Sequence, residues 1–299
     1  MSWMIVGTVP MENFPLTEGC CSLEQGGLSV NGSKIKVARG TPALLGAACA
    51  AAQVLGMSGP RAILAGDIGR GQGSRMAYER MLQKANDSEI RIVTFHYLQP
   101  DVLYHNKILW ALEERHDKPL LVADAGYMYV AKMSGFAGSY DLFTPDVGEM
   151  AFLADERAPH PFYTRGFLLQ EEERVPELIT LAYAEENAAR HLLVKGRTDY
   201  IVAQGRILAR ISEPSVETME PIGGTGDTLT GIVTALLASG WSTVEACCLA
   251  ARANRLLGFI ARPTPAFSVA DLLPFLPTAL EQALTEFSGD CSGDKPALA

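Results

Sequence analysis

Short apolar runs alternate with longer helical stretches through most of the chain, and few folds tolerate that rhythm. Residues 35–38, 61–65, 90–95, 119–123, 141–143 and 191–194 read as strands. Several of these runs are nearly continuous in apolar residues, as strands covered on both faces are. Helices are expected between them at 43–55, 74–84, 102–114, 147–153 and 172–189. The pattern predicts a three-layer α/β/α sandwich around a mainly parallel sheet. Gln204-Gly205, set between two β-rich runs at 199–203 and 206–211, predicts an antiparallel hairpin on the sheet's edge. Beyond it the chain reads as helical at 228–239, 244–261 and 269–287. No repeat or linker divides residues 35–287, which are expected to form one domain. Residues 1–34 carry β-like pieces without an assigned place and read as an N-terminal extension. Residues 288–299 read as a flexible tail, and 155–176 as a surface insertion, either an inert loop or a lid.

The junction Gly223-Gly224-Thr225-Gly226-Asp227 is the strongest chemical signal. Leu229, Ile232, Val233, Leu236 and Leu237 follow it on one helical face. Glycines leave the first-turn amides of that helix uncovered, and those amides have no partner inside the helix. Together with the helix dipole they attract a phosphate or a developing oxyanion. A carboxylate inside such a socket repels the anion, which makes sense if Asp227 takes a proton from a hydroxyl beside the phosphate. The alternative is an ordinary N-terminal cap.

Net charge and cysteine usage narrow the partners. A formal charge of −9 and a pI near 5.1 argue against nucleic acid and anionic membrane. An acidic protein binds a polyanion only where backbone amides and a few Lys or Arg reverse the local potential. The six cysteines show no C-x-x-C, and the five histidines no metal-ligand spacing. Reduced thiols in a cytoplasmic protein are expected. Neither a signal peptide nor a membrane span is recognisable.

In open parallel sheets ligands gather beyond the carboxyl ends of the strands. Four clusters fall there. Gly66-Asp67-Ile68-Gly69-Arg70-Gly71-Gln72-Gly73 would let a ligand approach the backbone, or is a plain βα turn. Asp124 follows the fourth strand. Asp146 and Glu149, three apart at a helix start, suit either a hydrated Mg²⁺ or a capping box. Lys195-Gly196-Arg197 suits a phosphate, or is a solvated turn.

The order of these elements along the chain resembles the ribokinase-like superfamily. Within it the chain is similar to the ADP- or ATP-dependent NAD(P)H-hydrate dehydratases. Thr144-Pro145-Asp146-Val147-Gly148-Glu149-Met150 resembles that family's TPHPGEM, Val194-Lys195-Gly196 its LKG, and Gly223 to Asp227 its GGTGD. Asp146 replaces a histidine. Gly66-Asp67-Ile68-Gly69 stands for the family's GPGLG turn, and the His-Lys-Gly opening is not recognisable ahead of Gly40-Thr41-Pro42-Ala43. These departures fall on the substrate side.

The resemblance implies a ribokinase-like fold and an enzyme that drives water out of hydrated NADH or NADPH with ADP or ATP and Mg²⁺. It implies Asp227 as the base and Glu149 beside the metal. Lys195, Gly196, Arg197, Thr198, Asp199, Gly224, Thr225 and Gly226 would hold the nucleotide. Ala43, Gly69, Asp124, Asp146 and Asp227 would hold the substrate. A homo-oligomer is expected. Two alternatives share the fold: a kinase for a small alcohol, sugar or vitamin-precursor heterocycle, and a nucleotide-binding relative without catalysis. The retained Asp227 argues against the latter, because anion binding alone is better without its charge.

Overall fold

The computed structural model describes residues 2–24, 27–155 and 172–287. The chain opens with β1 (Ser2–Val9), β2 (Thr17–Glu24), β3 (Gly27–Val30) and β4 (Ser33–Ile35). Helices and strands then alternate: α1 (Thr41–Val54), β5 (Arg61–Gly66), α2 (Gln72–Lys84), β6 (Ile90–His96), α3 (Val102–Glu113), β7 (Leu120–Asp124) and α4 (Gly126–Met133). Next come β8 (Leu142–Phe143), α5 (Val147–Ala154), α6 (Val175–Ala184), β9 (His191–Val194), β10 (Asp199–Ala203) and β11 (Arg206–Ile211). Helices close the described chain: α7 (Thr225–Ala238), α8 (Thr243–Ala261), α9 (Val269–Leu272) and α10 (Leu276–Glu286).

All these strands join one sheet in the order β11-β10-β9-β8-β7-β6-β1-β5-β2-β3-β4. The ladders from β5 through β1, β6, β7 and β8 to β9 are parallel, whereas β2–β4 and β10–β11 extend the two sides antiparallel. Parallel neighbours need crossovers, and the helices supply them on both faces. One face packs against α1, α7, α8 and α10, the other against α2 to α6. The strand interiors are apolar on both faces for this reason, with Met4, Ile5 and Val6 of β1 fully buried.

Several expectations are corrected here. Residues 1–34 are no extension, since β1 lies in the middle of the sheet between β5 and β6. The strand expected at 35–38 ends at Ile35, where the chain turns toward α1 although Val37 stays in the core. The helix expected at 172–189 stops at Ala184, and Glu186 takes a left-handed conformation. The helix expected at 269–287 is broken by a 3₁₀ turn at Leu273–Phe275, because Pro274 and Pro277 cannot donate to an uninterrupted ladder. The helix α4 had no sequence expectation. Most of the 155–176 insertion and all of the 288–299 tail lie outside the described residues. Among the described residues no helix is long and apolar enough to cross a membrane.

Candidate active site

The parallel register sets three residues in a row across the sheet: Gly7 of β1 pairs with His96 at the end of β6, and His96 with Asp124 at the end of β7. A Cβ at Gly7 would lie 2.6 Å from the Thr41 hydroxyl, so only glycine lets the start of α1 settle over β1. Thr41 Oγ1 then lies 3.0 Å from His96 Nδ1, and His96 Nε2 lies 3.1 Å from Asp227 Oδ1. With a proton on Nε2 the imidazole donates to Asp227, and its Nδ1 meets the Thr41 hydroxyl. The other Asp227 oxygen accepts the Gly40 amide at 2.6 Å. Asp227 is therefore oriented from two distant elements.

The start of α7 lies open beside it. Gly224 precedes the helix at φ 103°, where a Cβ would meet Val269 at 2.9 Å and the Arg39 backbone at 3.0 Å. No side chain of the preceding residue caps the helix, and its first backbone bond runs from the Thr228 amide to Gly224. The Thr225, Gly226 and Asp227 amides come before that bond and have no partner among the described residues. The glycines thus leave the first-turn amides of α7 open.

Lys195 balances the acids below it. Its Nζ donates to both oxygens of Asp124, at 2.9 and 3.0 Å, and Asp124 also accepts the Ala125 amide and the Thr230 hydroxyl. Burial works to discharge Lys195, yet Asp124, Glu149, Asp227 and Asp146 together hold its pKa above the ordinary lysine value. Burial likewise opposes ionisation of Asp227. The His96 bond, the Lys195 charge and the Gly40 amide outweigh it and hold the carboxyl below the usual carboxylate range. Asp227 is an anion at neutral pH, with its side chain 12% exposed.

Two acidic groups bear on a metal. His96, Asp124 and Asp227 offer ligand atoms within 4.8 Å of one another. The Lys195 ammonium already occupies both Asp124 oxygens, so this trio is better matched to that fixed cation than to a divalent ion. Asp146 and Glu149 form a full capping box at the start of α5, and Glu149 accepts a further bond from Tyr129 at 3.2 Å. Burial and the Asp146 charge push the Glu149 carboxyl well up, although Lys195 works the other way. A carboxylate loaded this way gains from a nearby cation, and its partly used oxygens fit a hydrated Mg²⁺ through water.

The remaining expected residues separate into those near the socket and those committed elsewhere. Gly226 packs against the Lys195 side chain, and Gly196 and Arg197 are exposed next to it. Thr198 is half-buried. Asp199 is not open to a nucleotide: it is buried, accepts the Gly196 amide, and is gripped by Arg255 at 2.9 Å. Arg255 also donates to the Gly196, Arg197 and Ser212 carbonyls, so the pair latches the β9–β10 turn to α8. Ala43 is fully buried with its amide bonded to Gly40, leaving it no ligand contact. The Gly69 amide is taken by Asp67. Asp146 is exposed.

Sequence reasoning missed His96, Thr41 and Thr230. His96 lies one residue beyond an expected strand, so the strand-end rule that found Asp124 would have reached it. Tyr97, next in line, adopts φ 51° and remains half exposed beside the site. Burial, with the charges of Asp227, Glu149 and Asp124, raises its hydroxyl pKa, so the ring stays a neutral phenol.

Known proteins match this arrangement at several levels. The family model described as NAD(P)H-hydrate dehydratase matches residues 102–271, more than half of the chain. An uncharacterized protein of Methanocaldococcus jannaschii is 40% identical over 225 residues, 75% of this chain and 92% of that protein. The ADP-dependent (S)-NAD(P)H-hydrate dehydratase of Cenarchaeum symbiosum is 30% identical over 160 residues, 53% of this chain and 50% of that protein. Among solved structures, a ribokinase-like superfamily protein of Enterococcus faecalis superposes with a TM-score of 0.58 at 17% identity, covering 94% of this chain and 87% of that one. That likeness is one of fold, and it agrees with the three-layer architecture. The chain belongs to the NAD(P)H-hydrate dehydratase family and has the ribokinase-like α/β fold.

Proposed function

We propose that this protein uses ADP or ATP to remove water from hydrated NADH or NADPH. The observation that carries the reading is an ionised Asp227 held beside uncapped helix amides by groups from two other elements. In this reading Asp227 takes the proton of the ring hydroxyl as that oxygen attacks the terminal phosphoryl group. The Thr225 and Gly226 amides face the charge on the transferring group, a job that preorganised donors do without rearrangement. Lys195 offsets the acidic charge of Asp124 and Asp227 on the floor of the site. Mg²⁺, held through water by Glu149, would neutralise charge between the phosphates. Phosphate then leaves the ring, pushed by the ring nitrogen lone pair, and loss of a proton from the neighbouring ring carbon to solvent forms the double bond that restores the dihydronicotinamide. Gly196 and Arg197, exposed next to Gly226, are assigned to the nucleotide.

A second reading is favoured by one observation: Asp146 is an exposed carboxylate on the side assigned to the substrate. It would repel a dinucleotide and accept a hydrogen bond from a small neutral alcohol. A kinase would use the same base and stop at the phosphate ester. Incubation with hydrated NADH or NADPH and each nucleotide separates the two. Return of dihydronicotinamide absorbance supports the dehydratase, whereas a stable phosphate ester from a panel of small alcohols, without that return, replaces it with the kinase.

A further inference from the structure

Gly40 joins three things in adjoining backbone. Its amide holds Asp227. Its open side faces the Tyr97 ring, which lies 3.8 Å from the position a Cβ would take. Its chain neighbour Arg39 reaches over the glycine turn, with Cδ 3.7 Å from the corresponding position at Gly223. Arg39 is exposed and has no hydrogen bond or ion pair among the described residues. This cation lies beside the anion socket in a strongly acidic protein. Tyr97 is equally unusual. The residue is 50% exposed, its hydroxyl has no partner among the described residues, and its backbone is left-handed, a conformation large side chains rarely adopt. Two contacts hold it there: Thr8 donates to the Tyr97 carbonyl at 2.7 Å, and the ring meets His96 edge-on at 4.5 Å. An exposed aromatic in a strained backbone beside an ionised base is a feature of ligand sites.

We propose that Tyr97 and Arg39 form the acceptor subsite, the aromatic ring packing against the acceptor's heterocycle and the guanidinium pairing with a phosphate of the same molecule. The proposal rests on the reading of Asp227 as the base and specifies the acceptor class: a hydroxylated ring that carries phosphate. A guanidinium suits that task because its fork matches two phosphate oxygens and its charge does not titrate. A face-on aromatic contact suits the ring because it covers apolar surface without demanding a hydrogen-bond pattern. Arg39 would also offset the repulsion from Asp146. A phosphate beside Arg39 can come from the acceptor or from the nucleotide, and the test separates these sources.

Arg39→Gln, Tyr97→Phe and Tyr97→Leu are compared with the parent on hydrated NADH, its phosphate-free riboside and the nucleotide. Both side chains are exposed, so unliganded melting temperatures should match the parent and serve as the folding control. Arg39→Gln should raise KM for hydrated NADH by about tenfold or more with kcat within about threefold, the pattern of lost uniform binding. It should leave KM for the riboside and the Kd for ADP or ATP unchanged. Tyr97→Leu should raise KM for both ring substrates by about tenfold, and Tyr97→Phe, which keeps the aromatic face, should raise it less. If Arg39→Gln weakens nucleotide binding instead, or leaves every constant alone, the subsite assignment is overturned. Full activity of Tyr97→Leu overturns the packing role. Asp227→Asn is run alongside: activity in that variant defeats the base assignment itself, whereas its loss together with silent Arg39 and Tyr97 variants defeats the subsite alone.

Discussion

Two glycine-rich turns in this molecule each carry an aspartate at the entrance to a helix, and they use it in opposite ways. At the start of α2, one oxygen of Asp67 accepts the amides of Gly69, Arg70 and Gly71, and the other accepts the Ser74 amide and hydroxyl. The turn satisfies its donors with its own carboxylate. At the start of α7, Asp227 is turned away from its own amides and held by Gly40 and His96, 187 and 131 residues away in the chain. Those amides stay open. A glycine-rich loop keeps its amides open only when the local carboxylate is engaged elsewhere, and here long-range packing decides that.

The contrast is testable, beginning with the residue expected to matter most. Asp227→Asn should lower kcat by roughly 10²–10⁴-fold, the usual range for a general base, while nucleotide binding is kept or tightened. Near-full turnover would reduce Asp227 to a structural role like that of Asp67. Lys195→Met should destabilise the protein by about 3–5 kcal/mol, because Asp124 is left charged and buried without its partner. It should also raise the acid limb of kcat. Asp227 has a depressed pKa in the folded state, so its contribution to stability is present above the ordinary carboxylate pKa and fades as pH falls through the depressed value. Removing the ammonium moves that window upward, and denaturant titrations and rate profiles across acid pH would reveal an unmoved one.

Nucleotide with Mg²⁺ should stabilise the parent by about 2.7 kcal/mol at a hundredfold excess over Kd. Gly226→Val should remove that gain by covering the open amides. A Cβ there meets the Lys195 side chain at 3.5 Å, an ordinary contact, so the free protein should melt near the parent temperature. Gly224 is a poorer probe, since its positive φ makes any side chain costly. Asp67→Ala should cost about 0.5–2 kcal/mol in denaturant unfolding, as lost caps do, with turnover unchanged. A fall in kcat there would mean that the α2 turn also serves chemistry. The smallest shift is expected for Asp146→His, which should lower KM for hydrated NAD(P)H by the equivalent of about 1 kcal/mol. Weaker binding of a small alcohol in the same variant would favour the kinase.

Local pattern made much of the sandwich legible. Both strands of the Gln204-Gly205 hairpin end where the turn chemistry places them, at Asp199–Ala203 and Arg206–Ile211. The open start of α7 was readable because its glycines and Asp227 lie within five consecutive residues. What stayed hidden depends on partners far away in the chain. Asp199 carries no mark that Arg255 will claim it, and Lys195 none that its ammonium will turn to Asp124. Gly7 carries no mark that its missing side chain admits Thr41 beside His96. Tyr97 is missed for a different reason: nothing about tyrosine favours a left-handed backbone, which tertiary contacts impose.

The position of β1 also bears on how this protein is made. It is the first described strand in chain order, yet its neighbours in the sheet, β5 and β6, begin at Arg61 and Ile90. At about 5–20 residues per second, a ribosome needs several seconds to deliver both flanking strands after β1 has emerged. Throughout that interval Trp3-Met4-Ile5-Val6 has both edges unpaired and both faces bare. The nascent chain therefore exposes this apolar segment before either neighbour exists, and a holding chaperone would have a target there well before His96 or Asp227 has been synthesised.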